Sequence, residues 1–255
     1  MRKKLQSTTN NYIAVFVGIG ILILWQILTM SGIVPKFMLP SPVDVGKAFV
    51  MDFTLLMQHA KTTLAEAFFG LLIGIAAGFL VSAAMDFFPM VHKGLYPLII
   101  LTQTIPTIAI APLLVLWMGY EMAPKITLIV ITTFFPITIG LLNGFSQTDP
   151  DALDLFRAMG ASKIKTFLFL KLPGAMAHFF SGLKVSAAYS VIGAVISEWL
   201  GGYYGLGVYM VRVKKSFSFD KMFAVIFLIS MISLLLMWLV DRLQKICMPW
   251  EQQKK

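Results

Sequence analysis

Six stretches of the chain run close to or beyond the length of a bilayer crossing with almost no charge in them. They are Tyr12–Met30, Ala67–Met85 (entered from about Thr62), Gly94–Tyr120, Ile126–Thr148, about Met176–Leu200 and Met222–Val240. A helix needs about 20 apolar residues to cross the hydrocarbon core. None of the runs alternates apolar with polar positions as barrel strands do, so helices are the only spanning form the pattern allows. The expectation is an all-α integral membrane protein of six transmembrane helices. The third run is overlong and carries Pro97, Pro106 and Pro112, which predicts a break. The first follows Arg2, Lys3 and Lys4 as in a signal peptide, but its apolar stretch is longer than a usual signal core. No small-residue cleavage site follows before Pro35, so it reads as a retained span.

Composition supports the same reading. The chain is 58% hydrophobic and 13% charged, against about 45–50% and about 25% in soluble domains. Its net charge of +9 raises nucleic acid as a partner. The basic residues are scattered between apolar runs and form no basic face, which excludes it. Of the 21 Lys and Arg, twelve fall on the side of the termini and eight on the other, with Lys184 inside a span. That bias places both termini in the cytoplasm. The lone Cys247 excludes an internal disulfide. His59, His92 and His178 have no ligand spacing, so no metal site is expected. No phosphate loop, cofactor fingerprint or nucleophile–base pair marks a catalytic site, so an enzyme is not expected.

Polar residues within the spans mark the candidates for function, because uncompensated polar groups are expensive there. Gln103, Thr104 and Thr107 cluster around Pro106, and Thr133 lies near Pro136. Lys184 and Glu198 are ionisable groups at membrane depth or its margin. Lys184 has the reach to snorkel to the cytoplasmic interface, and Glu198 lies near the outer end beside Trp199. These six are the expected translocation-pathway residues. Glu66, Gly70, Gly74, Gly78 and Ser82 recur every fourth residue and predict a seam where another helix packs closely.

The inner loop at 149–175 has its own pattern. Pro150 suits a first helical position, Gly160 suits a left-handed helix end, and Ser162 suits the cap of a second helix. Ile164, Phe167, Leu168 and Leu172 then recur at helical spacing opposite Lys163, Lys165 and Lys171. Such a pair of amphipathic helices either docks into a partner's groove or rests on lipid headgroups.

With Asp154, Gly160-Ala161-Ser162 and Leu172-Pro173 in place, this loop resembles the EAA loop of ABC importer permeases. Leu155 and Phe156 stand where the family carries two alanines. Further residues resemble the nitrate/sulfonate/taurine/bicarbonate-type subfamily: Leu39-Pro40-Ser41-Pro42, Phe135-Pro136, Gly182-Leu183-Lys184, Glu198-Trp199 and Gly205-Leu206-Gly207. The resemblance implies a type I ABC importer permease fold forming one transmembrane permease domain over 1–255. Its core is at about 62–243, an extra N-terminal span at about 12–30, and a cytoplasmic coupling loop at 149–175. It implies that Asp151, Asp154, Leu155, Phe156, Arg157, Gly160, Ala161, Leu172 and Pro173 couple to an ATPase. It also implies a permease homodimer, two ATPase subunits that bind MgATP where this chain binds no cofactor, and an extracytoplasmic solute-binding protein. The location implied is the inner membrane of a prokaryote. A sulfonate-, nitrate- or taurine-like anion is the first expected cargo, and a thiamine-type pyrimidine precursor the second. The competing function is an ion-coupled secondary transporter or channel, disfavoured because no internal repeat of two halves is found.

Overall fold

A computed structural model describes residues 2–32, 34, 35 and 38–250, with side chains from residue 13 onward except residue 14. Lys36, Lys254 and Lys255, counted in the charge balance, lie outside the described residues. The described residues are all-helical, without strands. In chain order the helices are α1 (Arg2–Met30), α2 (Pro42–Met51), α3 (Phe53–Phe87), α4 (Pro89–Thr104), α5 (Thr107–Met118) and α6 (Met122–Ser146). There follow α7 (Pro150–Ala158), α8 (Lys163–Thr166), a π-helical turn (Phe167–Lys171), α9 (Leu172–Glu198), α10 (Leu206–Lys215) and α11 (Phe219–Cys247). Four described helical segments are long and apolar enough to cross a membrane: α3, α6, the run Lys163–Glu198, and α11. The α4–α5 pair makes a fifth if it counts as one span. The expected break in the third run falls between these two helices, which bend by 99°. Ile105 and Pro106 are the extended residues at that joint.

The chain divides into two compact units. The first comprises Met1–Met57 and Tyr209–Leu228. Ser41 starts α2 with a capping box: its hydroxyl accepts from the Asp44 N–H, and the Asp44 carboxylate accepts from the Ser41 N–H. Val45 and Ala48 then pack on Ala224, and Trp25 lies against Phe223 and Phe227 at 5.8 and 6.0 Å between ring centres. Asp52 accepts hydrogen bonds from Tyr209 and, at 2.8 Å, from Lys221. These bonds, Lys221 first, hold the Asp52 carboxyl below its ordinary value of 3.8. A carboxyl lowered by folding contributes stability that is fully present above 3.8 and is lost as pH falls through the lowered value. Asp52→Asn should therefore flatten the acid limb of a stability-against-pH curve. An unchanged limb would show that the Asp52 contacts do not govern it.

The second unit comprises Gln58–Val208 and Ile229–Lys255. Its core is an α6–α9 seam built on glycines. A Cβ on Gly140 would stand 2.8 Å from the His178 carbonyl oxygen, and one on Gly144 would stand 2.6 Å from the Ala175 Cα. On the other flank the stripe of α3 meets α6: Gly70 abuts Ile129, Gly74 abuts Thr133 and Gly78 abuts Ile137. Small residues on α3 thus allow the close approach that dispersion forces need in lipid. Pro136 cannot donate within α6 and crowds the preceding turn. The carbonyl of Thr133, one turn before it, also accepts from the Ser186 hydroxyl of α9 at 2.8 Å.

Candidate functional site

Three places in the second unit gather the sequence candidates. The first is the inner loop. Asp149 caps α7, accepting from the Asp151 N–H at 3.0 Å, and Pro150 occupies the first turn. Gly160 takes φ +73°, and the Ala161 N–H donates back to the Phe156 carbonyl at 2.9 Å. This is the closing bond of a Schellman-type stop. Ser162 then caps α8 through the Lys165 N–H. Asp154 and Arg157 pair at 2.9 Å on the exposed surface. Leu155, Met159, Ile164 and Phe169 are all exposed, so the loop shows apolar side chains outward. It is anchored inward by Phe167, whose ring lies 5.0 Å from Phe87 and 5.3 Å from Phe145. Lys171 adds an ion pair with Asp86 at 2.7 Å. Leu172 and Pro173 begin α9 directly after the π-helical turn. The Lys171–Asp86 pair escaped the sequence reading, since 85 residues separate its members.

The second place is a cavity of about 150 Å³ at the break in the third run. Thr102, Gln103 and Thr107 line it from α4 and α5, Ile105 from the joint between them, Ile131 and Thr132 from α6, and Tyr189, Ile192, Gly193 and Ile196 from α9. Gln103 and Thr107 are therefore together. Thr104 donates its hydroxyl to the Leu101 carbonyl at 2.8 Å and is not among the lining residues. Thr133 is buried against Gly74 and donates to Ile129. Lys184 pairs with Asp241. Thr102 and Thr132 are legible in the sequence as span threonines bonded to their own helices, beside Pro106 and Pro136, but Tyr189 is not, because only the fold brings α9 to the break.

The third place holds Glu198, which is 1% exposed and deep within a polar cluster rather than at a wet margin. One carboxylate oxygen accepts from Thr63 at 2.7 Å and the other from the Gly207 N–H at 2.6 Å. Thr63 in turn accepts from the Leu206 N–H, and His59 Nδ1 accepts from the Gly205 N–H at 3.0 Å. A Cβ on Gly205 would overlap the Glu198 carboxylate, which explains glycine at that φ of +134°. Beside these, Lys125 donates to Glu66 at 2.7 Å. The cluster therefore clamps the 201–207 loop onto α3. The turns of helix between His59, Thr63 and Glu66 were the readable signal: one face of α3 carrying polar groups before its glycine stripe.

A bundle of apolar helices, a broken span lined by uncharged polar groups and an outward-facing amphipathic loop together define a membrane transport component. Residues 70–247 match the family model described as binding-protein-dependent transport system inner membrane component, and the chain belongs to that family. It is 35% identical to the formylaminopyrimidine transport permease protein ThiX of Halalkalibacterium halodurans, over 92% of this chain and 94% of that one. It is 30% identical to the taurine transport system permease protein TauC of Escherichia coli, over 89% and 84%. Among solved structures, the inward-facing MetNI methionine ABC transporter superposes with a TM-score of 0.60 at 18% identity, covering 75% of this chain and 93% of that chain. That likeness is one of fold. The chain is an ABC importer permease: an inner-membrane transport subunit with several spanning helices.

Proposed function

We propose that two copies of this chain form the translocation pathway of a type I importer, each driven by one of two separate ATPase subunits that bind MgATP. The number of crossings is six, counting α1 as one and the bent α4–α5 pair as another, with both termini in the cytoplasm. In this reading α7, the turn at Gly160 and the start of α9 form the coupling element. The single observation that carries it is the exposed apolar row of the inner loop, an expensive display in water unless a partner covers it. Asp151, Asp154, Leu155, Phe156, Arg157 and Ala161 belong to the docking helix and its stop, and Leu172 and Pro173 pass its displacement to α9. An extracytoplasmic binding protein delivers a small solute, and relatives named for pyrimidine, taurine and aliphatic sulfonate transport bracket its chemistry. Gln103 and Thr107 line the route at its break, while Thr104, bonded to its own helix, and Thr133, Lys184 and Glu198 hold the arrangement of helices around it.

The test is Gly160→Val. A β-branched residue forced into the left-handed region loses roughly 1–2 kcal/mol, which corresponds to about tenfold in the population of the docked geometry. Uptake into proteoliposomes carrying the chain, its ATPase and its binding protein should fall by about that factor. Stimulation of ATP hydrolysis by the loaded binding protein should fall with it. Unchanged uptake and unchanged stimulation would overturn the coupling assignment.

A further inference from the structure

The cavity at the broken span has a chemistry that selects among cargoes. We infer that it receives a single-ring, uncharged heteroaromatic solute carrying hydrogen-bond donors, in preference to a small organic anion. The inference rests on the reading that Gln103 and Thr107 line the transport route.

Charge is the first consideration. Among the described residues, none of those lining the cavity is ionisable at neutral pH: its polar groups are Thr102, Gln103, Thr107, Thr132 and the Tyr189 phenol. Of the lysines on the lining helices, Lys125 of α6 pairs with Glu66 and Lys184 of α9 with Asp241, while Lys93 of α4 is exposed more than two turns before Thr102. A sulfonate cannot shed its charge by taking a proton, and a cavity lined without a cation offers it no counter-charge. The start of α5 has no side-chain cap and turns its positive end to the break. The α4 end meets it there at 99°, with the opposite sign. The two helix ends therefore supply donors and acceptors side by side.

Hydrogen-bond direction is the second consideration. The Thr102 hydroxyl donates to the Ile99 carbonyl at 2.6 Å, and the Thr132 hydroxyl donates to the Ile129 carbonyl at 2.8 Å. With their protons committed to their own helices, both threonines offer lone pairs to the cavity. They call for a solute that donates, as a ring amino group does. Gln103 contributes both an acceptor and a donor on an exposed amide. Gly193 leaves Thr132 reachable: a Cβ there would come within 3.2 Å of the threonine oxygen.

Size and walls complete the selection. About 150 Å³ is the scale of cavity that admits a single six-membered aromatic ring. Ile105, Ile131, Ile192 and Ile196 give apolar faces, and Tyr189 gives an aromatic one.

The lone Cys247 makes the test clean, since it can be replaced by serine to leave a cysteine-free chain. In that background Ile105→Cys, exposed at the cavity mouth, is labelled in membranes of the full transporter with a water-soluble maleimide. Thr138→Cys, fully buried, serves as the unreactive control for folding. Labelling of Ile105→Cys should slow with 4-aminopyrimidine and not with ethanesulfonate or taurine. Adding Thr132→Val, which removes an acceptor at constant shape, should weaken that protection by about threefold or more. If Ile105→Cys never reacts while Thr138→Cys stays silent, the pathway reading falls and the inference with it. If Ile105→Cys reacts but ethanesulfonate or taurine protects better, or none of the three protects, the pathway reading stands and the cargo class is overturned.

Discussion

Lys125→Met should destabilise the protein by about 3–5 kcal/mol, the cost of leaving a buried charge without its partner. The Lys125 side chain is 7% exposed and that of Glu66 is fully buried, with 2.7 Å between their charged atoms. The second Glu66 oxygen has no hydrogen-bond donor, and the Glu198 carboxyl is its neighbour. Loss of Lys125 therefore leaves the Glu66 carboxylate uncompensated in a buried interior. Total stability of a folded domain is about 5–15 kcal/mol, so most of the folded pool is at risk. Thermal unfolding of the detergent-purified chain, together with its abundance in membranes, reads the effect. The double change Lys125→Met with Glu66→Met should recover much of the loss, because hydrophobic replacement of both members of a buried pair is often neutral. A single variant as stable as the parent would show that the pair is not structural.

Gly182→Ala is the second large effect. The added Cβ would overlap the Pro136 carbonyl of α6, a backbone group that cannot rotate away. Overpacking of this kind costs about 1–3 kcal/mol, and this site should lie at the top of that range because α6 and α9 must separate to relieve it. Gly140 and Gly144 lie on the same seam, so the separation would spread to the His178 and Ala175 contacts. The matched control is Gly94→Ala on α4, where nothing stands within 4 Å of the new atom. That change should stabilise by roughly 0.4–1 kcal/mol through the unfolded chain. Equal melting temperatures for the two variants would refute the close-packed seam.

Four of the six expected spans, and the bent α4–α5 pair as a fifth, were written in one-dimensional pattern, because insertion depends on local hydrophobicity and backbone satisfaction within each helix. So were the helix stops: Pro106 at the break, Gly160 at the end of α7 and Ser162 at the start of α8 act through their own backbone. The glycine stripe on α3 announced a packing face, and the family resemblance named the kind of machine. What the pattern did not hold was partnership. Glu198 reads as an interfacial residue until Thr63, Gly205 and Gly207 are brought round it, and Lys184 reads as snorkelling until Asp241 arrives. Gln103 and Thr107 read as a polar cluster on one helix. Only the crossing of α6 and α9 at the bend adds Thr132 and Tyr189 and turns the cluster into a cavity with a size and a hydrogen-bond polarity. Hydrophobic runs and caps are local properties that sequence alone determines. Which buried charges neutralise one another, and which hydroxyls are left to meet a solute, depends on residues tens of positions apart, and that was decided by the tertiary structure.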